Sequence, residues 1–199
     1  MNIYFIRHGK VKNPNNIWYG RLHGYCLSPQ GIKKIEDATN FLSDKNIEQI
    51  YSSPLVRAKQ SANILSDRLK VGPIRIAKDL LEVKSSLEGK SFEHVRLLKF
   101  NVFYSVENGV VGETIENLAD RIKSFTNKIL KENDNKNIAV VSHGDPIMTF
   151  KALIENLPLE LSSIRSNSKW KYIEPGEVYS VKYKDNKFST IKSVFKSVV

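Results

Sequence analysis

Apolar residues run unbroken from Ile3 to Ile6 and stop at Arg7, the pattern of a short buried strand, predicted over residues 2–6. A polar loop containing Pro14, Gly20 and Gly24 follows. Ser28-Pro29 then predicts a helix start, with the serine as cap and the proline at the first helical position. Ile32, Ile35, Thr39 and Leu42 fall on one face of that helix. A second strand is predicted over residues 49–52. Ser53-Pro54 repeats the cap-and-proline pattern ahead of a helix whose buried side carries Leu55, Ala58, Ala62, Leu65 and Leu69. Arg57 lies in its first turn, where free backbone N–H groups suit anions.

A third strand over residues 74–77 leads to Leu80-Leu81-Glu82. The span 83–112 reads as irregular, with one short helix around residues 92–98, and is expected to form a lid. A longer helix is predicted over residues 115–130, capped by Thr114, with Leu118, Ile122, Phe125 and Ile129 inward. Ile138-Ala139-Val140-Val141 is the strongest buried-strand signal in the chain; it ends in Ser142-His143-Gly144, and Asp145-Pro146 opens another helix. After Pro158 and a short helix, strands over residues 177–183 and 187–195 are joined by Asp185-Asn186 as a hairpin turn. Strands alternating with helices predict one α/β domain over residues 1–199, a mostly parallel central sheet flanked by helices.

Composition narrows the setting. With 199 residues and 41% hydrophobic content, the chain can enclose a sizeable core in a single domain. No run approaches the roughly 20 apolar residues of a membrane span, so no membrane partner is expected. The lone cysteine, Cys26, cannot form a disulfide within the chain, which excludes a disulfide-stapled fold and points to the cytoplasm. Lys+Arg 31 against Asp+Glu 21 gives a net charge of +10, which favours anionic partners. The lysines are scattered along the chain, so the charge reads first as a solvated surface. No feature reports the oligomeric state, and a homodimer stays open.

Ligands of open parallel sheets bind beyond the carboxyl ends of the strands. Four polar candidates lie at such ends: Arg7-His8, Arg57, Glu82 and His143. Two guanidinium groups match a phosphate monoester in charge and bidentate geometry. An imidazole attacks phosphorus only when unprotonated, and neighbouring arginines push it towards that state. His143 can donate to the transferring group, and Glu82 is the candidate acid for the leaving oxygen. Each residue alone has an ordinary structural reading; the recurrence of strand, His-Gly, helix at two distant points gives the combination its weight.

These residues resemble the histidine phosphatase superfamily, which includes the phosphoglycerate mutases. Phe5-Ile6-Arg7-His8-Gly9 is similar to its first signature, with Arg7 matching a phosphate ligand and His8 the nucleophile. Residues 51–62, from Tyr51-Ser52-Ser53-Pro54 through Arg57-Ala58 to Ala62, resemble its Ser-Ser-x-x-x-Arg-Ala segment. Leu81-Glu82 with Leu87-Glu88-Gly89 resembles the segment bearing the acid, so that Glu88 rivals Glu82. Val140-Val141-Ser142-His143-Gly144 resembles the segment of the second histidine, bringing in Gly144 beside it as substrate-binding. The likeness implies a three-layer, phosphoglycerate mutase-like sandwich and a phosphohistidine intermediate. Gly20-Arg21 and Gly112-Glu113-Thr114 match more weakly, and by analogy Arg21 is a substrate-side phosphate contact. Lys10-Val11 departs from the family's usual Glu-Thr or Glu-Ser.

The reading is therefore a phosphomonoester hydrolase acting on a small phosphorylated metabolite, without cofactor. A mutase-type phosphotransferase is the alternative within the family. A non-catalytic basic protein is the alternative outside it, supported by the charge and by Trp170, Tyr172, Tyr179 and Tyr183, although nucleic acid is disfavoured as a partner. Other chemistries lack their residues: Cys26 is followed six positions later by Ile32 rather than arginine, no Asp-x-Asp occurs, and the four histidines have no metal-ligand spacing, so no metal is expected.

Overall fold

Strand β1 (Asn2–Arg7) divides its side chains between two cores: Ile3 and Phe5 join one cluster, Tyr4 and Ile6 the other. Alternate residues of a strand point to opposite faces, so a strand apolar on both must lie inside the sheet. β6 (Asn137–Ser142) divides likewise, Ile138 and Val140 against Ala139 and Val141. The two pair in parallel, from Ile3 opposite Ile138 to Arg7 opposite Ser142. β2 (Ile47–Ser52) extends the parallel set beyond β6, and β3 (Arg75–Ile76) lies beyond β2. On the far side of β1, β7 (Val178–Lys184) runs antiparallel and carries both β8 (Lys187–Phe188) and β9 (Lys192–Phe195). The computed structural model describes residues 1–103, 106–107, 110–165 and 171–198. Within them β4 (Val106–Glu107) and β5 (Val110–Val111) form a separate antiparallel pair.

Helices cover both faces. Ile35, Ala38 and Leu42 of α1 (Pro29–Leu42) and Ala58, Ala62 and Leu65 of α2 (Val56–Leu69) complete one core. Leu118, Ile122, Phe125 and Ile129 of α4 (Ile115–Glu132) and Ile147, Met148 and Phe150 of α5 (Gly144–Ile154) complete the other. The result is the expected α/β sandwich, with a mixed sheet whose centre is parallel. Between β3 and α4, the span expected as a lid sends Val83, Leu87, Val95, Val102 and Phe103 into the core and holds α3 (Phe92–Leu97) on the surface. α6 (Leu161–Ile164) follows α5.

Several local expectations are corrected. Ile32 is 41% exposed. The inward stripe of α1 begins instead at Gly31, whose missing side chain lets the helix rest on the Lys10 backbone; a Cβ there would stand 2.0 Å from the Lys10 carbonyl oxygen. Ser53 and Pro54 do not begin α2, which starts at Val56 after Leu55 without a side-chain cap. The third strand is only two residues long, and α5 opens one residue early, at Gly144. The last strand is split in two, because the Ser189 hydroxyl takes the Lys182 N–H at 3.0 Å and interrupts the ladder. The turn before it is as expected, with Asp185 and Asn186 both at positive φ.

Candidate active site

The parallel register brings three strand ends to one edge. Directly beyond them, the His8 N–H bonds the Ser142 carbonyl at 3.0 Å and the Ser53 N–H the Val141 carbonyl at 3.0 Å, so His8, Ser53 and His143 leave the sheet side by side. The His8 and His143 rings lie 5.0 Å apart, centroid to centroid. His8 Nδ1 is 2.8 Å from the Gly9 carbonyl oxygen, which can only accept; Nδ1 therefore carries the hydrogen and Nε2 the lone pair. That lone pair receives a hydrogen bond from Arg57 Nε at 3.2 Å. Burial lowers the His8 pKa well below the ordinary histidine value, and the Arg57 and Arg7 charges lower it further, against a smaller opposing effect of the Gly9 carbonyl. The ring is a neutral base at physiological pH.

Arg57 is fully buried, an uncommon place for a guanidinium. Its Nη2 donates to the Gly20 carbonyl at 2.6 Å and its plane lies 4.8 Å from the Tyr19 ring centre. Arg7 Nη1 donates to the Ile173 carbonyl at 2.7 Å, with Tyr172 stacked 5.3 Å away. His143 Nε2 is 2.7 Å from Ser53 Oγ, the contact that draws Ser53 away from capping α2. Burial, then Arg57, His8 and Arg7, hold the His143 pKa well below its usual value. Arg57 Nη1, Arg7 Nε and His143 Nδ1 are all buried without a hydrogen-bond partner among the described residues. Buried polar atoms are seldom left so, and the clustering of three cation or imidazole nitrogens is the signature of an anion site.

Glu82 is buried, with Oε1 accepting from the Val83 N–H at 3.0 Å. Its pKa is raised to about 7, by burial first and the Asp145 charge second, against the opposing Val83 N–H, Arg57 and Arg7. Glu88, the rival, is half-exposed and occupied elsewhere: Oε1 accepts from the Arg21 N–H at 2.8 Å, and its side chain lies against Gly20, where a Cβ would meet Oε1 at 2.5 Å. Arg21 Nε donates to the Glu82 carbonyl at 2.7 Å and its Nη2 pairs with Glu113 at 3.1 Å, so these two nitrogens hold the backbone of Glu82. Gly144 lies behind Tyr172, whose hydroxyl would be 2.0 Å from a Cβ at that position. Of the residues expected from the sequence, His8, Arg7, Arg57, Glu82 and His143 are brought together; Arg21, Gly144 and Glu88 stand behind them.

Two supports went unrecognised in the sequence. Arg121 bonds Glu113 at 2.6 Å and the Glu82 carbonyl at 3.4 Å, completing with Arg21 a brace around the acid. Asp145, fully buried, pairs with Arg165 at 2.8 Å and accepts from the Tyr172 hydroxyl at 2.7 Å. Tyr172 is thereby a wall of the site; Tyr179 is buried and Tyr183 packs on Phe188, while Trp170 lies outside the described residues. The only sequence signal for Glu113 was the Gly-Glu-Thr turn, and Asp145 was visible only as a helix-start residue. A cavity of about 560 Å³ adjoins the cluster, with Arg7, Gly20 and Glu82 in its wall.

The fold of this α/β sandwich has counterparts among solved structures. The fold aligns with YhfR of Bacillus stearothermophilus over 95% of this chain and 94% of that one, at a TM-score of 0.81 and 20% identity. It also aligns with mycobacterial glucosyl-3-phosphoglycerate phosphatase in complex with VO3, over 96% and 97% of the two chains, at a TM-score of 0.80 and 18% identity. In sequence, the chain is 28% identical over 141 residues to "Uncharacterized phosphatase PhoE" of Bacillus subtilis, covering 70% of this chain and 69% of that protein. The family model for the histidine phosphatase superfamily (branch 1) matches residues 3–194, and the chain belongs to that superfamily. No helix among the described residues is long and apolar enough to cross a membrane.

Proposed function

We propose that the protein hydrolyses a phosphate monoester through a phosphohistidine on His8. The observation that carries this reading is the tautomer: Gly9 holds the proton on Nδ1 and leaves Nε2 as a neutral nucleophile facing Arg57. The monoester dianion takes the unpartnered nitrogens of Arg7, Arg57 and His143, and Arg57 Nε turns from the imidazole to a phosphate oxygen, freeing the lone pair. His8 Nε2 then bonds to phosphorus as the ester P–O bond breaks. The leaving oxygen takes the proton of Glu82, which burial keeps available near neutral pH. Fixed cations meet the charge on the three equatorial oxygens with little reorganisation. In the second half, water attacks phosphorus, the P–N bond breaks, and the water proton returns to Glu82; inorganic phosphate leaves. Superfamily membership supports the class of chemistry, and the phosphatase name of the B. subtilis relative supports hydrolysis over transfer.

Quenching the enzyme during turnover of a phosphorus-labelled monoester should trap a label that survives alkali and is lost in acid. His8→Ala should carry no label and lose at least about 10³-fold in kcat. A His8→Ala variant that releases phosphate at the native rate, or a label on another residue, overturns the assignment.

A further inference from the structure

The hydrolase reading fixes where the leaving group must go, and the residues found there say what it is; the inference that follows rests on that reading. Glu82 protonates the leaving oxygen only from within hydrogen-bond reach, so the rest of the alcohol occupies the cavity that Glu82 lines. At about 560 Å³ that cavity is far larger than a phosphoryl group and falls in the range of sites for whole small organic molecules. Its wall is aromatic and charged, with Trp18, Tyr19, Phe92, Phe100 and Tyr172 drawn from three separate stretches of chain.

The rings are held in place before any ligand arrives. The Trp18 N–H bonds the Lys90 carbonyl at 2.7 Å, the Gly89 N–H returns to the Trp18 carbonyl at 2.8 Å, and the Phe92 N–H reaches the Asn16 carbonyl at 3.0 Å. That backbone ladder sets Phe92 edge-on to Trp18 at 5.8 Å and to Tyr19 at 6.5 Å. Aromatic rings prefer such edge-to-face neighbours, and a flat guest extends the packing.

Charge adds a second requirement. Arg165 in the wall is already neutralised by Asp145. Arg96 and Lys99, also in the wall and exposed, form no ion pair among the described residues. Lys99 and Phe100 are consecutive non-glycine residues in the left-handed region, at φ 52° and 57°, immediately after α3. Such conformations are costly and concentrate at ligand clamps; here they turn one cation and one ring into the same cavity wall.

We infer that the substrate is the phosphate ester of a flat aromatic alcohol carrying a second anionic group, its ring among Trp18, Tyr19, Phe92 and Phe100 and its anion at Arg96 and Lys99. The test uses three monoesters of similar leaving-group basicity: ethyl phosphate, 2-phenylethyl phosphate and 2-(4-carboxyphenyl)ethyl phosphate. The ring should raise kcat/KM about thirtyfold, and the carboxylate about fivefold more, mainly through KM. Phe92→Ala should reduce the ring's advantage, and Arg96→Ala/Lys99→Ala should bring the ratio between the last two substrates to about one. Calorimetric binding of the matching phosphonates, which are not hydrolysed, should follow the same order. Equal values across the three ligands, or advantages that persist in the variants, overturn the inference. Absence of phosphate release from all three esters, with the phosphonates still bound in the expected order, overturns the hydrolase reading and leaves the binding inference standing.

Discussion

Glu82 is the residue whose protonation the surroundings most plainly set. An ordinary glutamate has a pKa of 4.5, whereas here it is about 7. A folded-state value raised above the unfolded one means that the folded chain holds this proton more tightly. The stability contribution is full below about pH 4.5 and is lost as pH rises through about 7, a cost of about 3 kcal/mol once the buried carboxyl is ionised. Glu82→Gln removes the ionisation, so the variant should match the native protein at about pH 5 and exceed it by up to about 3 kcal/mol at about pH 9, read by denaturant unfolding. A variant less stable at about pH 9 would mean that the carboxylate is held ionised by the arginines. Most of the cluster was legible at this scale, because His8, Arg57 and His143 stand beside strand-end and helix-start signals that local sequence carries. Ser53 was misread for the same reason: Ser-Pro is a local capping signal, and its real partner, His143, lies 90 positions away in the chain. Nor does any periodicity announce that Asp145 meets Arg165 and Tyr172.

At the level of elements, the position of His8 depends on how closely α1 approaches the loop after β1. A Cβ at Gly31 would stand 2.0 Å from the Lys10 carbonyl oxygen, and one at Gly9 2.4 Å from the Gly31 carbonyl oxygen. Backbone meets backbone on both sides, so neither can yield as a flexible side chain would. Gly31→Ala would by helix propensity alone gain up to about 1 kcal/mol. Here it should instead cost about 2 kcal/mol or more and lower kcat about tenfold, because Gly9 adjoins His8 and moves with the loop. Unfolding and steady-state measurements on that one variant check both; a stabilised, fully active variant would show that the approach is not tight. The glycine also explains why periodicity named α1 correctly yet turned Ile32 inward: hydrophobicity cannot register that a residue without a side chain makes the closest contact. The long helix α4 was read correctly because Leu118, Ile122, Phe125 and Ile129 make an apolar inward stripe and Thr114 caps it, bonding the Asn117 N–H at 3.1 Å. β8 and β9 were read as one strand because the break comes from a serine hydroxyl, which the alternation of apolar and polar residues does not record.

Across the whole molecule, alternation of strand and helix indicated a sheet with ligands at its carboxyl edge, while the strand order and the pairing of Arg7 with Ser142 emerge only from the assembled sheet. That assembly sets an imidazole that resists protonation and a carboxyl that retains its proton around the same two arginines, Arg7 and Arg57, and the pH profile follows from the two groups. Below neutrality His8 stays neutral, since its pKa is lowered by burial and by Arg57 and Arg7, so an acid limb of kcat/KM from His8 should lie well below the ordinary histidine range. On the alkaline side, kcat/KM for an alkyl monoester should fall tenfold per pH unit above about 7, as free Glu82 loses the proton that the leaving oxygen needs. Bound phosphate dianion opposes that loss, so the limb in kcat should lie at higher pH than the limb in kcat/KM. With p-nitrophenyl phosphate, whose leaving group needs little proton assistance, the alkaline fall should be shallow. In Glu82→Gln the limb should vanish, along with roughly 10²–10⁴ of the rate on the alkyl ester. An alkaline limb that survives the substitution, or one equally steep for both leaving groups, would assign the proton to another residue and remove Glu82 from the chemistry.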